Sequence, residues 1–298
     1  MTPPPPTRPA TRPRVALVLG SGGVRSVAAV AIADVLTRAG LRPDLVVGCS
    51  SGALFGATIA AQMPAEEALA RARTLWSPEL TGQRRWRAYA QLVAPRLLGF
   101  PRDFALRDDR LIARRLAQAF GERRIEQLPL ALRVAVTDAA SGASTVLAEG
   151  PLVDALRASM AVPFLFPSVE LGGRRLVDGV ISDPLPIGAA ADAQLIVTLG
   201  FRGSMPRRVD RASRLLAQVS TALTNNLQQA RLEAAHAAGQ RIVALELPLA
   251  RHVGLWETAA LPECYEAGLQ AARRALPQIH AQLARSPHAE PPPIRTRH

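Results

Sequence analysis

Lysine is absent from this chain; every one of its 36 basic residues is arginine. The formal charge of +12 therefore carries less meaning than its size suggests. With alanine abundant and 25 prolines present, it reads as base composition as much as selection for phosphate contacts. No nucleic-acid-binding module accompanies it, so nucleic acid is not an expected partner. Cysteine is scarce too. Cys49 and Cys264 lie far apart, without a ligand-like spacing, which excludes a disulfide framework and a structural zinc site and fits the cytoplasm. Neither a metal nor a cofactor is expected. Aromatics make up 4% of the chain, leaving Ala, Leu and Val to build the core, a composition that suits helices on a parallel sheet better than a sandwich. Long apolar runs are also missing. Residues 45–61 come nearest, but Gly48, Ser50, Ser51, Gly52 and Gly56 interrupt them and they fall short of a membrane span.

The first 13 residues and residues 286–298 are rich in proline and are expected to be disordered tails around one domain, 14–285. The first of them has no apolar segment of the kind a signal peptide needs. Residues 15–19 form a short apolar run ending at Gly20, the pattern of a buried parallel strand. Residues 27–39 follow as an apolar helix closed by Gly40. Residues 45–47 and 52–62 repeat the strand–helix order, so right-handed crossovers and a mostly parallel sheet flanked by helices are expected. Further helices are predicted at 65–75, at 109–120 with Asp108 or Asp109 as cap, at 209–238, and at 263–283 with an interruption at Pro277. Strands are predicted at 132–137, 144–147, 194–199 and 241–246. Gly172-Gly173 joins the strands 169–171 and 174–177 in a two-residue hairpin.

Gly48-Cys49-Ser50-Ser51-Gly52 fits G-x-S-x-G, with a strand before it and a helix after it, the setting that exposes a nucleophilic serine on a sharp turn. A tight turn with a helix-capping serine is the bland alternative. Gly20-Ser21-Gly22-Gly23-Val24-Arg25 follows the first strand and opens the first helix, presenting amides to an anion. A dinucleotide fingerprint fails here, because its last glycine would be Arg25 and no acidic residue ends the second strand. Asp178-Gly179 stands at the end of a strand, a position from which a carboxylate projects, although Asp-Gly is also a common turn. Asp138, Asp154 and Asp183 compete for the acid role without that setting. Of the histidines, His236 and His280 sit on helical stretches and His288 and His298 near the terminus. His252, in a loop, is the one candidate for a triad.

Together these pieces resemble the patatin-like phospholipase family. The matching stretches are LVLGSGGVRS, DLVVGCSSGALFGA, VTDAASGASTVLAEG, ALRASMAVPFLFPSVELGGRRLVDGVISDPLP and YEAGLQAARRALPQI, in the family order. The resemblance implies a three-layer α/β fold and a serine–aspartate dyad in place of a triad. Ser50 would be the nucleophile and Asp178 its base. The oxyanion hole would come from Gly22, Gly23, Val24 and Arg25, the elbow from Gly48, Cys49, Ser51 and Gly52, and the Asp-Gly motif from Gly179 and Val180. The implied substrate is a phospholipid or another acyl ester. The sequence departs from the family at Ser26, where the loop usually has glycine, and at Val180, where glycine or alanine is usual. Those departures keep a weakly active or non-catalytic scaffold as the alternative.

Residues 76–115 combine Arg84, Arg85, Arg87, Arg96 and Arg102 with Trp86, Tyr89, Leu97, Leu98 and Phe100. That mixture suits a peripheral contact with an anionic membrane, against the plainer reading of a solvated helix with a few core aromatics. Nothing in the sequence fixes the oligomeric state.

Overall fold

The computed structural model describes residues 14–99, 101–205 and 208–284. The two expected tails lie outside the described residues, as does Phe100. β1 (Val15–Leu19), α1 (Ala28–Arg38), β2 (Leu45–Cys49) and α2 (Ser51–Ala60) form the predicted strand–helix–strand–helix run. A surface excursion follows through α3 (Ala65–Leu75), α4 (Trp86–Val93), α5 (Pro95–Leu98) and α6 (Arg110–Phe120). β3 (Ala131–Asp138) returns beside β2, with β4 (Ser144–Leu147) folded back on it. After α7 (Leu152–Met160) come the hairpin strands β5 (Val169–Leu171) and β6 (Arg174–Asp178). β7 (Leu195–Leu199), α8 (Ala212–Ala237), β8 (Ile242–Leu245) and α9 (Leu261–Ala284) complete the described chain.

The sheet has eight strands in the order β5-β6-β3-β2-β1-β7-β8, with β4 also on β3. β3, β2, β1, β7 and β8 run parallel, while β4, β5 and β6 add antiparallel pairings at one side. Alternation along the central strands divides the core. Leu17, Leu19, Val46 and Val197 face α1, α2 and α9. Ala16, Val18, Val47 and Ile196 face Leu232 and Ala235 of α8. The chain moves from β1 to β2 through α1 on the first face, and from β7 to β8 through α8 on the second. Opposite directions across the sheet with one crossover hand require opposite faces. Fully buried Leu17, Leu36 and Leu54 each stabilise this packing by about 2 kcal/mol.

Two expectations change, and the choice of cap at α6 is resolved. The first helix is entered through a 3-10 turn, Gly23–Val27, which holds the loop amides in a tighter coil than an α-helix would. α9 is not interrupted at Pro277 but continuous. Proline removes one donor, and Pro277 and the residue whose carbonyl it frees, Arg273, are both exposed, so the lost bond falls on the solvent side of the helix and not in the core. At α6 the capping bond comes from Asp108, whose Oδ1 accepts the Arg110 amide at 2.8 Å. Asp109 instead binds Arg157.

Candidate functional site

Ser50 sits between β2 and α2 with φ 55° and ψ −125°, a conformation that a residue with a Cβ adopts at a cost of about 1–3 kcal/mol. The packing around it leaves no alternative path. A Cβ on Gly52 would lie 2.5 Å from the Leu19 carbonyl oxygen, and one on Gly48 would lie 2.4 Å from the Ala53 Cα. The turn is pinned by a side chain that the sequence did not mark. The Ser50 amide donates to Ser159 Oγ at 2.8 Å, and Ser159 Oγ donates to the Ala135 carbonyl at 2.8 Å, tying the elbow to α7 and β3.

Ser50 Oγ donates to Asp178 Oδ2 at 2.8 Å. Ser50 is 4% exposed and Asp178 is fully buried. The other carboxylate oxygen, Oδ1, accepts the Val180 amide at 2.9 Å and faces the Cys49 thiol at 3.9 Å. The Val180 contact is made by backbone, so the departure from glycine or alanine there leaves it intact. Asp178 itself is held by its amide on the Ala161 carbonyl and by Thr137 Oγ1 on its own carbonyl. Burial pushes the Asp178 carboxyl up to about 7, against the opposing pull of the Val180 amide, Ser50 Oγ and the Cys49 thiol. An aspartate poised near neutrality, bonded to a serine on a strained turn, can take a proton from that serine.

The glycine-rich loop lies where expected, with its amides already engaged. The Gly22 and Gly23 amides donate to Ser51 Oγ at 3.1 and 2.8 Å. Ser51 Oγ also meets Ser26 Oγ at 2.9 Å. A hydroxyl accepting two amides has one proton left to give, so Ser51 is the donor to Ser26. Ser26, the departure from the family loop, thus completes a serine pair that holds the loop shut. The Val24 amide donates to the Leu255 carbonyl at 2.9 Å, which also takes Trp76 Nε1 at 2.7 Å. Trp76 in turn stacks on Trp256 at 4.5 Å. Arg25 turns away from this cluster, its Nε donating to the Gly22 carbonyl.

The competing residues are placed elsewhere. Asp138 caps a turn by accepting the Ala140 and Ser141 amides, and Asp154 pairs with Arg157. Asp183 is buried beside Arg231 at 3.4 Å, and burial raises it to about 6. His252 binds Ser204 and His280 the Leu276 carbonyl; His236 lies within α8. His288 and His298 fall outside the described residues. Among the described residues no histidine bonds to Ser50, and no group of three or more His, Cys, Asp or Glu could hold a metal ion. No helix of the described residues is long and apolar enough to cross a membrane.

In the 76–115 segment the ends are anchored and the middle is open. Trp76 is buried, and Arg115 Nη1 donates to the Thr74 carbonyl and to Ser77 Oγ. Trp86, Val93 and Leu97 are 70%, 87% and 84% exposed.

An uncharacterized NTE family protein of Mycobacterium tuberculosis H37Rv is 34% identical over 199 residues, 66% of this chain and 51% of that protein. A second NTE family protein of the same strain is 30% identical over 292 residues, covering 90% of this chain and 47% of the relative. The chain thus spans about half the length of these curated relatives. The mouse patatin-like phospholipase domain-containing protein 6 is 30% identical over 179 residues, 59% of this chain and 12% of its own. Among solved structures, VipD from Legionella pneumophila superposes with a TM-score of 0.48 at 12% identity, over 90% of this chain and 67% of that one. The family model described as patatin-like phospholipase matches residues 17–191, from within β1 past Asp178, and the chain belongs to that family.

Proposed function

We propose that this protein is a serine acyl hydrolase that cleaves fatty-acyl esters through Ser50 and Asp178. The observation that carries the reading is the 2.8 Å bond from Ser50 Oγ to a buried carboxylate at the end of β6. Asp178 takes the Oγ proton as Oγ bonds to the ester carbonyl carbon. The tetrahedral oxyanion collapses, the alcohol leaves with the proton from Asp178, and the acyl group stays on Ser50. Water, losing a proton to Asp178, then bonds to the acyl carbon, and the fatty acid leaves as the acyl–Oγ bond breaks and Ser50 Oγ takes that proton back from Asp178. The Gly22 and Gly23 amides serve the oxyanion once Ser51 Oγ gives them up, and the Val24 amide once the Leu255 carbonyl does; the Arg25 amide completes the hole.

The substrate class we favour is a phospholipid or lysophospholipid, met at a membrane surface. Exposed Trp86, Val93 and Leu97 beside Arg84, Arg87 and Arg96 support docking through residues 76–115 on an anionic leaflet, from the cytoplasm. A second reading, a weakly active or non-catalytic scaffold, draws on the closed loop, whose three amides all have internal partners.

A fluorophosphonate probe separates the two. Labelling of Ser50, with ester hydrolysis lost in Ser50→Ala and Asp178→Asn at unchanged folding, supports the hydrolase. An unlabelled Ser50, or full activity in either variant, discards it. Flotation with anionic liposomes tests the docking surface, and binding indifferent to lipid charge removes it.

A further inference from the structure

The parallel strands leave β1 in two directions, toward β2 and β3 on one side and toward β7 and β8 on the other. Loops that follow the carboxyl ends of β1 and β7 therefore diverge, and a crevice opens between them, the general location of ligand sites in open α/β sheets. A cavity of about 620 Å³ occupies this crevice. Arg25 lines it from the loop after β1, Thr198, Phe201 and Arg202 from the end of β7, Gln228 from α8, and His252 from the loop after β8.

Two features of the cavity are uncompensated. The Arg25 guanidinium is partly buried and donates only to carbonyls, to Gly22 at 3.2 Å and to Arg202 at 3.4 Å. Among the described residues no carboxylate lies within 4.0 Å of Arg25 or of Arg202, whereas Arg251 at the rim is matched by Glu257 and Glu263. A cation drawn from water without a counter-ion is costly, and an arriving anion recovers that cost. The second feature is Thr198. It is 1% exposed, and its hydroxyl has no hydrogen-bond partner, although such groups are nearly always satisfied.

We propose that this cavity binds a phosphate group. Guanidinium forks match phosphate oxygens, and Arg25, Arg202, whose Nη2 donates to Gln229 Oε1 at 2.7 Å, and Thr198 line one cavity, with Glu246 as the carboxylate on its wall that an anion would have to avoid. Phe201 links the site to the loop near Ser50. Its ring lies under the Arg25 guanidinium, 5.1 Å from centroid to carbon, and so close to Gly22 that a Cβ there would come within 2.2 Å of it. β7 stands two strands from β2, about 10 Å at the usual spacing, so one molecule carrying both an ester and a phosphate can reach both sites. Phosphate binding stands on the cavity alone; its use in choosing a phospholipid rests on the hydrolase reading above.

Calorimetric titration of the full chain with inorganic phosphate tests the site. The expected result is a dissociation constant at or below about 1 mM, weakened at least about tenfold in both Thr198→Val and Arg202→Gln. Thr198→Val should melt no lower than the parent, since the hydroxyl it loses is unpaired, so weakened binding cannot be ascribed to misfolding. No binding by the parent, or equal affinity in both variants, overturns the proposal.

A second arm distinguishes the source of the phosphate. Dihexanoylphosphatidylcholine and dihexanoylglycerol are compared as monomers. If the phosphate is lipid-borne, Arg202→Gln lowers kcat/KM for the phospholipid at least about tenfold and leaves the diacylglycerol unchanged. If free phosphate is the ligand, titration shows binding and the ratio of the two substrates does not move. Phosphate binding without turnover of either ester would sink the hydrolase reading and leave this site standing.

Discussion

Ser50 and Asp178 are within hydrogen-bond distance although their strands are not neighbours. β3 lies between β2, which ends at Cys49, and β6, which ends at Asp178. Register explains the meeting. Cys49 pairs with Ala135 and Asp178 with Val136, so the serine and the carboxylate arrive at the same level and close over a strand that offers only small or branched apolar side chains there.

With Asp178 as the proposed base, activity and stability should respond oppositely to pH. Its carboxyl is raised to about 7 by burial, so between pH ~4 and ~7 the folded chain holds a proton that the unfolded chain has released. Folding stability therefore falls as pH rises through that window, by up to about 4 kcal/mol for this group. Ester hydrolysis, which needs the carboxylate, should rise through the same window. Urea unfolding near pH 5 and pH 8 checks the first half. Asp183 contributes in the same direction, so the comparison is with Asp178→Asn, whose stability should gain on the parent as pH rises.

Strain at Ser50 should be visible in a pair of inactive variants. Both Ser50→Ala and Ser50→Gly lose the bond to Asp178, but glycine reaches φ 55° without the Cβ penalty. Ser50→Gly should be more stable than Ser50→Ala by about 1 kcal/mol in denaturant titration. Equal midpoints would argue that the turn is unstrained.

Ser159→Ala should act on the turn without touching substrate. It leaves the Ser50 amide buried and unpaired, at a stability cost of about 1–3 kcal/mol. It should lower kcat with KM little changed, because the proposed nucleophile is misplaced and not removed. A fall in KM-dependent rate alone would mean that the elbow holds its shape unaided.

The serine pair in the loop should prove asymmetric. Ser51→Ala strips the acceptor from two amides, and its expected cost is about 2 kcal/mol. Ser26→Ala removes only the partner of the Ser51 proton and should cost about half as much or less. Thermal melts of the two variants give the order, and a reversed order would discard the assignment of donor and acceptor.

What the sequence made legible was local and periodic. The alternation of strand and helix around Gly48–Gly52, the Gly172-Gly173 hairpin and the strand ending at Asp178 follow from residue types within a few positions. α7 has little sequence signature, since nine residues between Pro151 and Ala161 give little more than two turns of pattern. The same holds for Ser159, whose role depends on meeting Ser50 across 109 positions. Leu255 was equally invisible. It enters the site with a backbone carbonyl, which side-chain identity does not announce. Ser51 stands in the elbow by sequence, but nothing local marks it as the partner of the loop, because both amides it accepts belong to a different βα turn.

The segments that hold Ser50 and Asp178 in place all lie within residues 17–191, the portion matched by the family model. The Leu255 carbonyl, Phe201 and most of the crevice belong to the remainder, yet β7 of that remainder is inserted directly beside β1. The proposed dyad and the proposed phosphate site are thus drawn from two stretches of sequence that share one sheet. Removing the second stretch would strip β7 from β1 and leave the central strand of the sheet as an unpaired edge.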